Sequence, residues 1–232
     1  MPKNLPAMAV LGLSDPSDGD WGRLRGFQYS SLARATASRM LAHGVAAIAA
    51  AGLFLGKVPI VGLIAWMAAL AASLYYGARI DASLVDVDRR RMSRDEVNRQ
   101  TISAIVNALV WVIPIAVFSH FGDAESQLKL WTVLAMLMTA SAILLPAVPM
   151  STLMFTGIVG GAALVYFLLT GVYDMGVVTV AFVTTVILGA IESARRFLLT
   201  KMAEAGINEK NEVVSLLLRE FEEGEADWLW QI

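Results

Sequence analysis

The 232-residue chain is too apolar for an ordinary soluble domain: 57% of its residues are hydrophobic, 16% are charged, and the mean hydropathy is +0.62. The formal net charge of −2 is uninformative in total, but the absence of cysteine excludes disulfides, thiolate chemistry and cysteine-ligated metals. The apolar residues are grouped in blocks of about twenty, the length of a helix that crosses a bilayer. An all-α integral membrane protein is predicted.

Residues 1–39 precede the first block as a predicted cytoplasmic N-terminal segment, and residues 1–31 are not expected to form a signal peptide. A short apolar patch at 7–13 leads into residues 14–20, an acidic linker that we expect to be disordered. Beyond it, four residues share one face of a helix, with arginines nearby: Trp21, Leu24, Gln28 and Leu32. This pattern favours a short helix lying on an anionic membrane surface, and the alternative is a flexible tail.

Six apolar segments follow and define a transmembrane domain over residues 40–191. They cover residues 40–56, 58–78, 102–119, 130–145, 150–169 and 175–191. Each must be helical, because lipid cannot satisfy the polar groups of an exposed strand. The first and fourth segments are of marginal length for a helix that crosses about 30 Å of hydrocarbon. A six-helix transmembrane bundle results.

Lysine and arginine are distributed asymmetrically around these segments. Of the 18 Lys and Arg residues, all but Lys57 and Lys129 flank one side. The positive-inside rule makes that side cytoplasmic, so both termini are predicted to lie in the cytoplasm. The outward connections are short, which leaves no extracytoplasmic domain for ligand binding. A stimulus must then be sensed within the bilayer, at its outer rim, or through the state of the lipid.

Polar residues within the spans or at their outer ends are the candidate sensing residues, because polar groups are costly in a bilayer. Five are identified: His43, Asn107, His120, Asp123 and Asp174. The last three could form a rim cluster that responds to pH or a cation, and the alternative is that they are solvated loop residues. The predicted topology places the two histidines at opposite faces, which argues against a shared metal or haem, so no cofactor is predicted.

Small residues and one proline suggest how the spans pack. Gly52 and Gly56, like Gly157 and Gly161, have the spacing that lets helices approach closely. We expect packing within one subunit, with a dimer contact as the alternative. Pro114 frees a backbone carbonyl one turn earlier in the third span and could kink it.

Residues 192–232 form a polar segment with a coiled-coil seam. A 4-3-4-3 spacing places five residues on that seam: Ile207, Asn211, Val214, Leu218 and Phe221. A lone asparagine on such a seam fixes register and dimer state, so a homodimer through this helix is predicted. We expect residues 222–225 to break the helix and residues 227–232 to begin a strand.

Glu192 lies where the sixth span becomes this cytoplasmic helix. It could pair with Arg195 or Arg196, or with Arg79 or Arg99 from neighbouring helices. Such a pair would transmit a shift of the span, and the alternative is a solvated charge at the end of the membrane segment. The predicted signal relay comprises Glu192, Arg195, Arg196, Asn211, Val214, Leu218 and Phe221.

No motif for a nucleophile, a phosphate-binding loop or paired catalytic carboxylates occurs, so catalysis within this chain is not expected. The basic loop at 79–100 lacks interleaved aromatic residues, and no nucleic-acid partner is predicted.

The tail at 209–223, followed by 227–232, resembles the run-up to a PAS domain in bacterial GGDEF-EAL proteins, which make or degrade cyclic di-GMP. The similarity covers about 25 residues, and the six spans match only in general layout. It implies an input module of a bacterial inner membrane, truncated at the start of the PAS domain, whose partners are lipids and downstream cytoplasmic domains. Since no PAS, GGDEF or EAL residues are present, no active-site residue of that family is carried over.

The predicted function is therefore a membrane-embedded sensory input module that relays a signal through its C-terminal helix. The main rival is a small transporter or channel subunit, with His43, Asn107 and the bend at Pro114 lining a path. A membrane enzyme acting on lipid is a third option, without a recognisable catalytic set.

Overall fold

The computed structural model describes residues 5–14, 21–84 and 92–228; beyond residue 204 it describes the side chains only in part. These residues are mostly helical. The helices are α1 (Ala7–Val10), α2 (Trp21–Arg34), α3 (Thr36–Phe54), α4 (Ile60–Ala82), α5 (Arg94–Ala116), α6 (Ala124–Leu144), α7 (Pro149–Leu169) and α8 (Tyr173–Trp228), with a 3₁₀ turn at Phe118–Phe121 after α5.

Helices α3 to α8 are each long and apolar enough to cross a membrane, which confirms the predicted all-α fold with six spans. The structure extends several spans beyond the predicted limits. Helix α5 begins at Arg94 because Ser93 and Glu96 form a reciprocal capping box. Helix α6 begins at Ala124 because the Asp123 carboxylate accepts the Ser126 backbone N–H at 2.9 Å.

The bundle core is built from one buried stripe on each helix. On α4 the stripe has spacings of three and four residues and comprises Leu63, Trp66, Leu70, Ser73, Gly77 and Asp81. Aromatic rings fill the core: Trp66 packs edge-on against Trp111 at 5.5 Å and against Phe118 at 5.7 Å. Helix α7 occupies a central place, since it packs against α5, α6 and α8, while α3 packs against α4 and α6.

Pro114 lies inside α5 and has the predicted effect on its backbone. Proline has no N–H, so the carbonyl of Val110 loses its partner within the helix. The indole Nε1 of Trp66 on α4 donates to that carbonyl at 3.0 Å. A group that would be costly if unpaired in the core thus joins α4 to α5.

The glycine pairs do not provide the close packing that their spacing suggested. A Cβ atom placed on Gly52, Gly157 or Gly161 would meet nothing within 4 Å, and Gly56 lies in a turn with φ of +77°. The close approach occurs instead at Gly160, where a Cβ atom would lie 2.3 Å from Cγ2 of Val183 on α8. The prediction of packing at the two glycine pairs within one subunit is therefore wrong.

We expect Gly160→Ala to destabilise the contact between α7 and α8. The added methyl group would overlap Val183, whose β-branched side chain has little rotamer freedom, and overpacking of this kind typically costs about 1–3 kcal/mol. The free energy of unfolding in mixed micelles measures the effect. Gly157→Ala makes the same change on a face of α7 where nothing lies within 4 Å, so it should not lower stability and should raise it by up to about 1 kcal/mol through the higher helix propensity of alanine. Equal losses in the two variants would contradict the expectation.

The helix predicted to lie on the membrane surface packs on the protein instead. The predicted face of α2 is buried, with Trp21 and Leu24 in a cluster with Ala194 and Leu198 of α8. Leu32 packs on residues of the α4–α5 and α6–α7 connections, and Gln28 Nε2 donates to the carbonyl of Ala147 at 2.7 Å. The same helical pattern fits a lipid surface and a protein surface, and here the bundle provides the protein surface.

Helix α8 continues from Tyr173 to Trp228, so the predicted break at 222–225 is wrong. The glycine in that stretch, Gly224, costs a helix only about 1 kcal/mol relative to alanine, and the surrounding glutamates and Ala226 favour helix. Of the predicted C-terminal strand, Asp227 and Trp228 are helical, and residues 229–232 lie outside the described range. Most of the predicted acidic linker, residues 15–20, and part of the basic loop, 85–91, also lie outside it.

Candidate functional site

A buried ion pair joins the start of α3 to the end of α4. The guanidinium of Arg39 contacts Oδ2 of Asp81, whose side chain is 1% exposed. Thr36 Oγ1 donates to the same carboxylate oxygen at 2.6 Å, and Gln100 Nε2 of α5 donates to Oδ1 at 3.1 Å. Three donors from two other helices thus compensate a carboxylate that would be costly to bury alone.

A second polar group lies one to two turns deeper, around His43 of α3. Trp111 Nε1 donates to His43 Nδ1 at 3.0 Å, and the Asn107 amide lies 3.3 Å from His43 Nε2. Because the indole can only donate, Nδ1 must accept, and a neutral ring then carries its proton on Nε2. Because Nε2 is then a donor, the side-chain amide of Asn107 must turn its oxygen toward Nε2 and its NH₂ group toward Ser73 Oγ of α4, which lies 3.2 Å away. The resulting hydrogen bonds link α3, α4 and α5.

A cavity of about 40 Å³ lies between these two groups and is reached by five helices, α3 to α7. Its polar lining is Arg39, His43, Ser73, Gln100, Ser103, Asn107, Ser141 and Ser151. Its apolar lining includes Leu74, Ala104 and Phe155. We name it the polar cavity.

The polar cavity contains two predicted sensing residues, His43 and Asn107, and several that the sequence did not reveal. The sequence places Arg39 only among the basic residues that flank the spans, and it singles out neither Gln100, which lines the cavity, nor Asp81, which contacts Arg39 beside it. Asp81 and Arg39 are 42 residues apart in the chain, so nothing local signals their contact. The available signal was an aspartate three residues after the predicted second span, on the side of the membrane where the arginines are concentrated.

The three predicted rim residues are not joined in a site. His120 lies with its ring 6.0 Å from that of Tyr166, whereas Asp123 bonds Lys57 Nζ at 3.1 Å and caps α6. Asp174 is in the first turn of α8. Within residues 5–14, 21–84 and 92–228, no group of three or more His, Cys, Asp or Glu could hold a metal ion.

Asp123 is also poorly suited to sensing mild acid. Hydrogen bonds from the Ser126 side chain and backbone, and then from Lys57, lower the pKa of its carboxyl well below the usual range. A group with a lowered folded-state pKa stabilises the protein above its unfolded pKa, about 3.9, and loses that effect as pH falls further. We therefore expect the stability difference between the wild type and Asp123→Asn to be constant from about pH 8 to pH 5 and to shrink only below about pH 4. Thermal unfolding across this range measures it, and a change near pH 6 would contradict the assignment.

The predicted relay residues lie along α8. Glu192 accepts from Arg195 Nη1 at 2.9 Å and from Arg196 Nε at 3.2 Å, the first of the pairings considered from the sequence. Arg195 Nε additionally donates to the carbonyl of Leu5 at 3.2 Å, which ties the N-terminal segment to α8. Asn211, Leu218 and Phe221 are in the helix, and their side chains lie outside the described range.

Comparison with protein-family models, with curated proteins and with solved structures yields no match to this chain.

Proposed function

We propose that this chain is a membrane-embedded sensory input module that transmits a change in the bundle through α8 to a cytoplasmic output. The observation that carries the proposal is the continuity of α8. Its 56 residues correspond to a rod of about 84 Å, of which a bilayer core occupies only about 30 Å. A movement at its membrane end is therefore carried directly into the polar half.

The membrane half of α8 is held by the bundle, and the base of its polar half is held by the N-terminal segment. Gly160 of α7 lies against Val183, while Ala194 and Leu198 are buried against α1 and α2. A rearrangement of the spans thus has two rigid contacts through which it can shift or rotate α8.

Beyond these contacts, the two seam residues of α8 whose side chains are described are apolar and exposed. Ile207 is 58% exposed and Val214 is 53% exposed, and both lie on the predicted 4-3-4-3 seam. The occupant that we propose is the same helix of a second copy, because a seam with a central asparagine is self-complementary in a parallel dimer. The bistable element of the mechanism is then the register or rotation of this helix pair.

We place the protein in a bacterial inner membrane with both termini in the cytoplasm. The support is the charge distribution: the bundle end that carries Arg39, Arg79 and Arg195 faces the cytoplasm under the positive-inside rule, and Lys57 and Lys129 flank the other end. The output that we propose is of the PAS-GGDEF-EAL type, on the resemblance of residues 209–232. Deleting the native gene should then change the cellular level of cyclic di-GMP, and an unchanged level would count against this output.

Cysteine cross-linking tests the dimer directly, since the chain has no native cysteine. We expect Val214→Cys to form an inter-chain disulfide in membranes under mild oxidation, because seam residues of paired helices face each other. Leu216→Cys is the matched control: Leu216 is 60% exposed on the same helix but lies off the seam. Equal cross-linking at both positions, or none at Val214, would contradict the proposed dimer.

A transporter or channel is the second candidate, because the polar cavity lies within the bundle. The rings of Phe54, Trp66, Trp111 and Phe118 occupy the core between the cavity and the opposite end, with neighbouring centroids 5.5–5.8 Å apart. This packing favours a binding cavity that ends within the bundle over a continuous solute pathway across it. Solute flux through liposomes that contain the purified chain would favour transport instead.

A further inference from the structure

The polar cavity has the size of a very small ligand. A volume of about 40 Å³ holds roughly three water molecules, since one water needs about 10–15 Å³ measured in this way. A molecule of about four non-hydrogen atoms is of that order. Lipid headgroups, nucleotides and aromatic compounds are too large for this cavity.

The charges around the cavity compensate each other. Arg39 is paired with Asp81, and the indole N–H that points to Nδ1 of His43 fits a neutral ring. The other polar residues of the lining are serine, asparagine and glutamine, which carry no charge. An ionic ligand would add an uncompensated charge to a buried site, which is strongly unfavourable.

The lining nevertheless has hydrogen-bonding capacity that the protein leaves unused. Gln100 is 2% exposed and lines the cavity, and its Oε1 atom is buried without a partner. The hydroxyls of Ser103 and Ser151, which also line the cavity, form no hydrogen bond with the described part of the chain. An unsatisfied buried acceptor is costly, so a donor is expected to occupy the cavity.

We propose that the polar cavity binds a small uncharged carboxamide-type solute, which donates through its N–H group and accepts through its carbonyl. The N–H would donate to Gln100 Oε1, and the carbonyl would accept from a serine hydroxyl. A carboxamide has both an N–H donor for the unpartnered glutamine oxygen and a carbonyl acceptor for a serine hydroxyl. An ether has no donor, and a hydrocarbon has neither group. Three ordered waters are the competing occupant.

Such a ligand would contact five of the six spans at once. The residues that it touches on α7, Ser151 and Phe155, are on the helix that packs against α8 at Gly160. A role as the stimulus rests on the proposed relay function, whereas binding to the cavity does not depend on that function.

Three probes of nearly the same shape test the charge argument: acetamide, acetate and the acetamidinium cation. Saturation-transfer NMR with the purified full chain in nanodiscs measures their binding. We expect a saturable signal for acetamide with a Kd in the millimolar range, in keeping with about four non-hydrogen atoms, and at least about tenfold weaker binding of both ions. The absence of a saturable signal would overturn the proposal in favour of water alone, and equal signals from the three probes would overturn the selection of an uncharged ligand.

Two variants locate the binding in the cavity. Ala104→Leu places three more carbon atoms in the lining and should abolish the acetamide signal, whereas Ala68→Leu adds the same atoms to an exposed position of α4 and should not change it. Gln100→Met removes the unpartnered acceptor and should weaken binding by about tenfold. An undiminished signal in a folded Ala104→Leu variant would overturn the assignment of the site.

Acetamide also distinguishes ligand binding in the cavity from signal transmission through α8. Acetamide is expected to change the rate of disulfide formation in Val214→Cys, and Ala104→Leu should remove that change. Binding in nanodiscs without an effect on the cross-linking rate would leave the site intact and would overturn its role as stimulus. Val214 cross-linking without any acetamide binding would support the dimer and overturn the ligand.

Discussion

Asp81→Ala is expected to lower the free energy of unfolding by about 3–5 kcal/mol, the cost of leaving one partner of a buried ion pair without the other. Arg39 is only 14% exposed, so water cannot replace the carboxylate well. Thr36 and Gln100 would also lose their acceptor, and α3, α4 and α5 would no longer be joined at this end of the bundle. Unfolding in mixed micelles, followed by circular dichroism, measures the loss.

Removing both charges provides the internal control. The double variant Arg39→Leu, Asp81→Leu leaves no unpaired charge and should recover most of the stability lost in Asp81→Ala. At the other end of the bundle, Glu125→Ala breaks the exposed pair with Lys129 and should leave stability nearly unchanged. A loss below about 1 kcal/mol in Asp81→Ala would mean that the pair is solvated and does not hold the three helices together.

Asn211→Val should tighten the association of the C-terminal helices, because valine on a coiled-coil seam removes a buried polar group that costs stability and specifies register. We expect the dissociation constant of the dimer to fall by about tenfold or more, equivalent to about 1.4 kcal/mol. A helix pair that associates this tightly should no longer change its register or rotation, so the cytoplasmic output should no longer respond to the stimulus. Cross-linking of Val214→Cys in the variant background and the cellular level of cyclic di-GMP are the two readouts.

Asn208→Val is the matched control, since it makes the same chemical change three residues earlier and off the seam. It should leave both association and signal response as in the wild type. If the output of Asn211→Val responds to the stimulus as the wild type does, the relay mechanism is contradicted, even if the dimer itself is confirmed.

The prediction from sequence succeeded where one local property is sufficient. A helix that crosses hydrocarbon needs about twenty apolar residues in succession, and the six blocks are visible without knowing how they pack. The structure confirms them as α3 to α8. The loss of an N–H at Pro114 is likewise a property of one residue, although its partner, Trp66, lies 44 residues away and could not be read from the chain.

The prediction failed where a pattern has two physical solutions. The apolar face of α2 fits lipid or protein equally well, and packing against Ala194 and Leu198 decides between them. Gly157 and Gly160 are the same residue one turn apart, and only the position of Val183 makes one of them indispensable. Helix α8 runs through Gly224 because the surrounding residues favour helix more than one glycine opposes it.

The sequence by itself determined the membrane class, the number of spans, the charge asymmetry and the seam spacing of the last helix, because each depends on residues that are neighbours in the chain. Only the tertiary structure decided that Arg39, Asp81 and Gln100 meet, that His43 accepts from Trp111, and that residues of five helices line one cavity. The physical reason is that a buried polar group needs a hydrogen-bond partner, and helix packing can supply that partner from a residue far away in the chain. The hydropathy of a segment shows how apolar it is but does not show which other segment packs against it.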